Sequence, residues 1–155
     1  MPKEPVELKQ LAEQTAARLQ DLAEKNQVTV AVEGSAVTVS GVRALLQELL
    51  HNLCENAVKY NKPGGRVTVT VAKQQNSAVV TVADTGIGIA PEHADRVFER
   101  FYRVDKSHSK ASGGTGLGLS IVKHAAQYHH GTVTLQSTPG TGTVFTVTLP
   151  LQAEN

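Results

Sequence analysis

Two stretches of strict alternation, Arg66 to Lys73 with Val67, Val69 and Val71, and Ala78 to Val82 soon after, constrain this chain most. A period of two puts those valines on one side of extended backbone, so the pair reads as a hairpin of strands with one apolar face. That face has to be covered. Helical spacing supplies the cover. Leu8, Leu11, Ala12, Leu19, Leu22 and Ala23 mark an amphipathic helix over residues 7–25. A second helix starts near Val42, with Ser40 as its expected N-cap, and carries Leu45, Leu46, Leu49, Leu50, Leu53 and Ala57 before Asn61-Lys62-Pro63-Gly64-Gly65 stops it. Short β-branched stretches follow the same logic at Val28–Val32 and Val37–Val39, with Glu33-Gly34-Ser35 as the turn between them. A helix from about Gly118 to Tyr128 leads into a closing pair of strands, Thr132–Ser137 and Thr143–Leu149. Grouped strands with helices between them predict an α+β fold. The expected form is a two-layer sandwich of one mixed, mostly antiparallel sheet with helices on one face.

The 155 residues fit a single domain, 1–155, long enough to bury a core. With aromatics at 4% and no Trp, that core is expected to be aliphatic. A formal net charge of +1 and the lack of a basic run argue against a nucleic-acid surface, so any anion chemistry must be local. One cysteine, Cys54, excludes an internal disulfide and fits a reducing compartment. No apolar run approaches the ~20 residues needed to span a bilayer, and no signal-peptide core precedes the first helix.

Four features carry chemistry. Asn52, Asn56 and Lys59 are spaced to fall along one stripe of the second helix. Such a stripe is a solvated face, or it is a site where amide oxygens meet Mg²⁺ and an ammonium meets phosphate. Asp84-Thr85-Gly86-Ile87-Gly88-Ile89 follows a strand directly. It is an Asx-type turn, or a carboxylate poised for an exocyclic amine with glycines that let backbone approach a flat ligand. Gly113-Gly114-Thr115-Gly116-Leu117-Gly118-Leu119-Ser120 runs into a helix, an arrangement whose N–H groups suit anions, yet it is neither a Walker A loop nor a Rossmann fingerprint. Between these lies Phe98-Glu99-Arg100-Phe101-Tyr102-Arg103, then Lys106 and Lys110, a set that reads as a surface helix with core phenylalanines or as part of a lid. The aperiodic, glycine-rich stretch 84–119 is long for a compact domain and bounded by regular elements, which favours the lid.

In this order and spacing the four features resemble the catalytic domain of sensor histidine kinases, within the GHKL superfamily and its Bergerat fold. Asn52–Tyr60 is similar to the N box, Asp84–Gly88 to the first glycine box, Phe98–Arg103 to the F box and Gly114–Leu119 to the second glycine box. Gly140-Thr141-Gly142-Thr143-Val144-Phe145 is similar to the closing strand, and the likeness runs from about residue 5 to residue 150. Arg103–Ser107 and Ile121–His124 look most like the phosphate-regulation subgroup.

The resemblance implies ATP and Mg²⁺ as cofactors. Asp84 is expected to hold the adenine amino group, with Gly86, Gly88 and Thr143 near the base. Asn52 and Asn56 are the expected metal residues. Lys59, Tyr60, Tyr102 and Arg103 are expected on phosphates or ribose, and Gly114, Thr115, Gly116, Leu117, Gly118 and Leu119 around the polyphosphate. Asn52, Lys59 and Arg103 would act in transfer of the γ-phosphoryl group, a reaction that asks chiefly for positioning and charge neutralisation. The hydrolytic members of the superfamily, and the anti-sigma-type serine kinases, place Glu where Asn52 stands, and an amide is no general base. That difference favours the histidine kinase branch.

In the family the accepting histidine lies in an H-[E/D]-x-x-[T/N] helix. None of His51, His93, His108, His124, His129 and His130 is followed by Glu or Asp, so all six read as structural or surface. His129 and His130 close a helix, where a cationic ring suits the dipole. The acceptor is expected on a separate dimerisation domain, with helix 7–25 leading in from it. By the same resemblance the full protein is a dimeric, membrane-anchored kinase with this domain in the cytoplasm, passing the phosphoryl group to a response regulator. The alternative is a catalytically silent nucleotide-binding module of the same fold.

Overall fold

A computed structural model describes residues 2–94, 96–99 and 118–151. In chain order the elements are β1 (Glu4–Glu7), α1 (Leu8–Arg18), α2 (Gln20–Lys25), β2 (Thr29–Gly34), β3 (Thr38–Gly41) and α3 (Arg43–Lys59). They continue with β4 (Arg66–Gln74), β5 (Ser77–Asp84), the short α4 (Pro91–Ala94), α5 (Gly118–Tyr128), β6 (Thr132–Thr138) and β7 (Gly142–Pro150). Five strands form the main sheet in the order β2-β4-β5-β7-β6. The β2–β4 pair is parallel and the other three pairs are antiparallel, which is the mixed, mostly antiparallel sheet expected.

The alternation read from sequence sets which face is buried. Val67, Val69 and Val71 on β4, Ala78, Val80 and Val82 on β5, and Phe145, Val147 and Leu149 on β7 all lie on the inner face, each 5% exposed or less. Their neighbours Thr68, Thr70, Thr81, Thr146 and Thr148 point the other way and are half-buried. On α3, Leu46, Leu49, Leu50, Leu53, Cys54, Ala57 and Val58 are buried, and with Val122, Ala125 and Ala126 of α5 they belong to the same core as the valine face. Thus α3 is fixed on the sheet by its apolar stripe, and its polar stripe is left for the site. Burial at 0% exposure pushes the Cys54 thiol up to about 12, so it behaves as a small apolar core residue.

Four local expectations are corrected. The helix over 7–25 is interrupted at Leu19 (φ −95°, ψ 6°), giving α1 and α2. Residues before it, Glu4–Glu7, form a strand paired antiparallel with β3, and the Glu7 carboxylate caps α1 by accepting from the Lys9 and Gln10 N–H groups at 2.6 and 3.1 Å. Glu33 and Gly34, expected in a turn, are the end of β2, and β2 and β3 fall in different sheets on either side of residues 35–37.

Ser40 is not the N-cap of α3; it pairs with Pro5 inside β3, and the capping position is Val42, which offers no side-chain bond. His129 takes up that role from across the fold. Its Nε2 accepts from the Val42 N–H at 3.0 Å, so the proton is on Nδ1, which donates to the Ala125 carbonyl at 2.8 Å. With the ring 5% exposed and Nε2 an acceptor, His129 is a neutral cross-link between α5 and the start of α3 rather than a cation on the helix dipole.

Candidate active site

The site forms where β5 ends on the inner face. Asp84 is the last residue of β5 and pairs with Thr143 of β7, which in turn pairs with Ser137 of β6. All three side chains point to the helix side, in line with Val67. One carboxylate oxygen of Asp84, Oδ1, accepts from the Gly86 N–H at 2.9 Å and the Thr143 N–H at 3.3 Å. These bonds fix the carboxylate plane and leave Oδ2 for a ligand. Burial raises the Asp84 pKa above 3.8, and the bonds from Gly86 and Thr143 pull against that rise. A half-buried carboxylate with a spare oxygen is a strong acceptor for an N–H group on a flat ligand.

Two glycines are needed as they stand. A Cβ on Gly86 would run into the Tyr60 carbonyl, and one on Gly88 (φ +78°) would strike the Thr138 carbonyl. The turn after Asp84 is thus wedged between the end of α3 and the end of β6. The Ile89 N–H donates to Ser137 Oγ at 2.6 Å, and Ser137 Oγ lies 2.7 Å from Thr143 Oγ1. Phe98 meets Phe145 edge to face, with ring centroids 5.9 Å apart, so the start of the F-box stretch is anchored on the inner face.

Beside this turn, α3 presents Asn52, Asn56 and Lys59, all half-buried, with Tyr60 (39% exposed) as its C-cap. The Asn52 amide donates to the Glu48 carbonyl of its own helix at 2.8 Å. Its oxygen faces the first residue of α5, 3.0 Å from where a Gly118 Cβ would stand. Gly118 therefore permits the close approach of the α5 N-terminus to Asn52, and Leu119 packs half-buried against the core. Lys59 Nζ lies 3.6 Å from the Glu55 carboxylate in a partly buried i,i+4 pair. Among the described residues no group of three or more His, Cys, Asp or Glu side chains could hold a metal ion. The donors that remain, amide oxygens on one helix face, suit Mg²⁺ when a ligand's phosphates and water complete its shell.

Of the residues expected from sequence, Asp84, Gly86, Gly88 and Thr143 come together around one carboxylate, while Asn52, Asn56, Lys59, Tyr60 and Gly118 line the adjoining helix faces. Tyr102, Arg103, Gly114, Thr115, Gly116 and Leu117 lie outside the described residues, as do Lys106 and Lys110. Ser137, Asn61 and the Thr85 hydroxyl take part in the hydrogen bonding of the site without having been singled out. Nothing in the periodicity marks them, because each works through a partner distant in sequence.

Comparison with known proteins agrees with this fold. Residues 41–153 match the family described as histidine kinase-, DNA gyrase B-, and HSP90-like ATPase. The sensor-like histidine kinase SenX3 of Mycolicibacterium smegmatis is 40% identical over 146 residues, which is 94% of this chain and 38% of SenX3. Among solved structures, the mycobacterial sensor histidine kinase MprB superposes with a TM-score of 0.84 at 29% identity, covering 96% of this chain and 97% of that one. Full-length ShkA, solved in complex with AMPPNP, gives a TM-score of 0.83 at 30% identity over 96% of this chain and 31% of its own. The chain spans less than two-fifths of the length of SenX3. It belongs to the histidine kinase-, DNA gyrase B- and HSP90-like ATPase family.

Proposed function

We propose that this chain is the ATP-binding catalytic domain of a sensor histidine kinase and transfers the γ-phosphoryl group of ATP to a histidine on a separate dimerisation domain. The observation that carries this reading is the Asp84 carboxylate, held through Oδ1 by Gly86 and Thr143 with Oδ2 to spare, beside a helix whose half-buried polar stripe is Asn52, Asn56 and Lys59. Asp84 accepts from the adenine amino group, which guanine lacks at that position. Thr143 and Gly88 flank the base. Asn52 and Asn56 hold Mg²⁺ through their side-chain oxygens; when bound, the ion neutralises charge on the phosphates. The Lys59 ammonium, 3.6 Å from Glu55 in a partly buried i,i+4 pair, turns from that carboxylate to the more highly charged phosphates.

The same helix argues for transfer to a protein acceptor rather than to water. Asn52 spends its amide donor on Glu48 and has no basic atom with which to activate water. Glu55 lies one residue before Asn56, off the Asn52–Asn56 stripe and beside His51. In the whole protein, on this reading, the acceptor domain makes the kinase dimeric, a membrane anchor holds it with this domain in the cytoplasm, and a response regulator receives the phosphoryl group.

The test is to mix the domain with γ-labelled ATP, Mg²⁺ and a separately produced dimerisation domain containing an H-[E/D]-x-x-[T/N] histidine. Label on that histidine, lost when it is changed to Gln, supports the reading. Steady phosphate release without an acceptor would make the domain a hydrolase. Nucleotide binding with neither outcome would make it a silent module.

A further inference from the structure

The base-binding turn and the phosphate-side helix meet at one small polar joint. Helix α3 ends at Lys59, and two residues later the Asn61 side chain bonds to its own loop, to the first residue of β4 and to the residue after β5. Its Oδ1 accepts from the Lys62 N–H at 2.9 Å and from the Thr85 hydroxyl at 3.2 Å, and its Nδ2 donates to the Arg66 carbonyl at 3.1 Å. The Thr85 hydroxyl also accepts from the Arg66 N–H at 2.9 Å, so its proton must point to Asn61. Backbone bonds run alongside, from Thr85 N–H to Arg66 O at 3.2 Å and from Ile87 N–H to Tyr60 O at 3.1 Å.

Thr85 directly follows Asp84, and Asn61 directly follows Tyr60 and is two residues from Lys59. The joint therefore ties the carboxylate proposed for adenine to the end of the helix proposed for the phosphates. The rest of α3 is seated by leucines, and apolar contact is non-directional, so it resists lifting of the helix better than it resists sliding. Hydrogen bonds with fixed geometry supply what apolar contact lacks.

We infer that Thr85 and Asn61 are positioning residues: their hydroxyl–amide bond sets the spacing between Asp84 and the Asn52–Asn56–Lys59 stripe, and so favours ligands that span both. This rests on the nucleotide reading proposed above. A ligand that touches only the Asp84 side does not depend on the spacing; one carrying a metal-bound triphosphate does.

The experiment compares adenosine with Mg²⁺–AMPPNP on four proteins: wild type, Thr85→Val, Thr85→Ser and Asn61→Ala. Binding is followed by titration and folding by thermal melting. Thr85 is exposed and Val keeps its β-branched shape, so the fold is expected to survive the change. The prediction is that Thr85→Val, which removes the hydroxyl's bonds to both Asn61 and Arg66, weakens Mg²⁺–AMPPNP by at least roughly threefold, the lower end for loss of one hydrogen bond. Adenosine should change less than twofold, and Thr85→Ser should restore the analogue. Asn61→Ala should also weaken the analogue more than adenosine, and the two changes together should cost less than the sum of each alone, as partners in a shared bond do. An unchanged analogue affinity in Thr85→Val overturns the inference, and so does an equal loss of adenosine and analogue. If wild type binds neither ligand, the nucleotide reading itself fails and takes the inference with it.

Discussion

Replacing Asp84 by Asn separates the needs of binding from those of folding. In the wild type, Oδ1 is already bonded to the Gly86 and Thr143 N–H groups, so Oδ2 is the oxygen available to a ligand. The Asn side chain keeps those two bonds by placing its oxygen at the Oδ1 position. Its NH₂ then stands where Oδ2 was and turns a donor towards the donor of an adenine amino group. A hydrogen bond to a charged acceptor contributes about 1.5–3 kcal/mol, and its loss weakens binding roughly 10- to 150-fold at about 1.4 kcal/mol per decade. The facing donors add to that, so the lower figure is a floor.

Stability moves the other way. Burial raises the folded-state pKa of Asp84 above its unfolded value of 3.8, so the folded protein holds this proton more tightly than the unfolded chain. The stabilisation from that proton is complete below 3.8 and is lost as pH rises through the folded pKa. At neutral pH the ionised carboxylate is therefore a cost to the empty domain, and Asn removes it. Unliganded Asp84→Asn is expected to melt above wild type at pH 7, with the gap closing as pH falls toward 3.8. Calorimetric titration and melting curves across that pH range read both effects. Wild-type affinity in the variant, or a lower melting temperature at pH 7, would refute the reasoning.

Other perturbations test other links. Asn56→Ala is expected to abolish Mg²⁺-dependent labelling of an acceptor histidine while sparing adenosine binding; labelling at the wild-type rate would remove Asn56 from the metal role. His129→Leu leaves the Val42 N–H without its partner and should lower stability by about 1–3 kcal/mol, read by urea unfolding, whereas His129→Gln should recover part of the loss because an amide can both accept and donate. Gly88→Ala puts a side chain at φ +78° and against the Thr138 carbonyl, so it should cost more than about 1 kcal/mol in the same assay and weaken nucleotide binding. A fully stable Gly88→Ala protein would show that the turn relaxes freely.

The sheet was legible because its valines obey a period of two over whole strands. Val67, Val69 and Val71 point inward as the alternation requires, and α3 buries Leu46, Leu49, Leu50 and Leu53 of the leucines its spacing selected, with Leu45 half-buried. What escaped is governed by partners far apart in the chain. Ser40 is a good capping residue by type, yet pairing with Pro5 places it inside a strand, and His129, 87 residues beyond Val42, bonds the capping residue instead. The break at Leu19 has no Gly or Pro to announce it, and Glu4–Glu7 becomes a strand only because β3 is there to pair with it. Within the site, the carboxylate and the two glycines of the Asp84 turn could be read, since close backbone approach demands them. The Thr85–Asn61 bond could not, because each is an ordinary turn residue until the other is seen beside it.

Calorimetric titration of the wild-type domain with AMPPNP, with and without Mg²⁺ and beside a guanine analogue, tests the central claim most directly. The account predicts micromolar binding that is selective for adenine and stronger with the metal. Equal affinity for the guanine analogue, or no binding of either, would contradict the role given to Asp84 and leave only the fold.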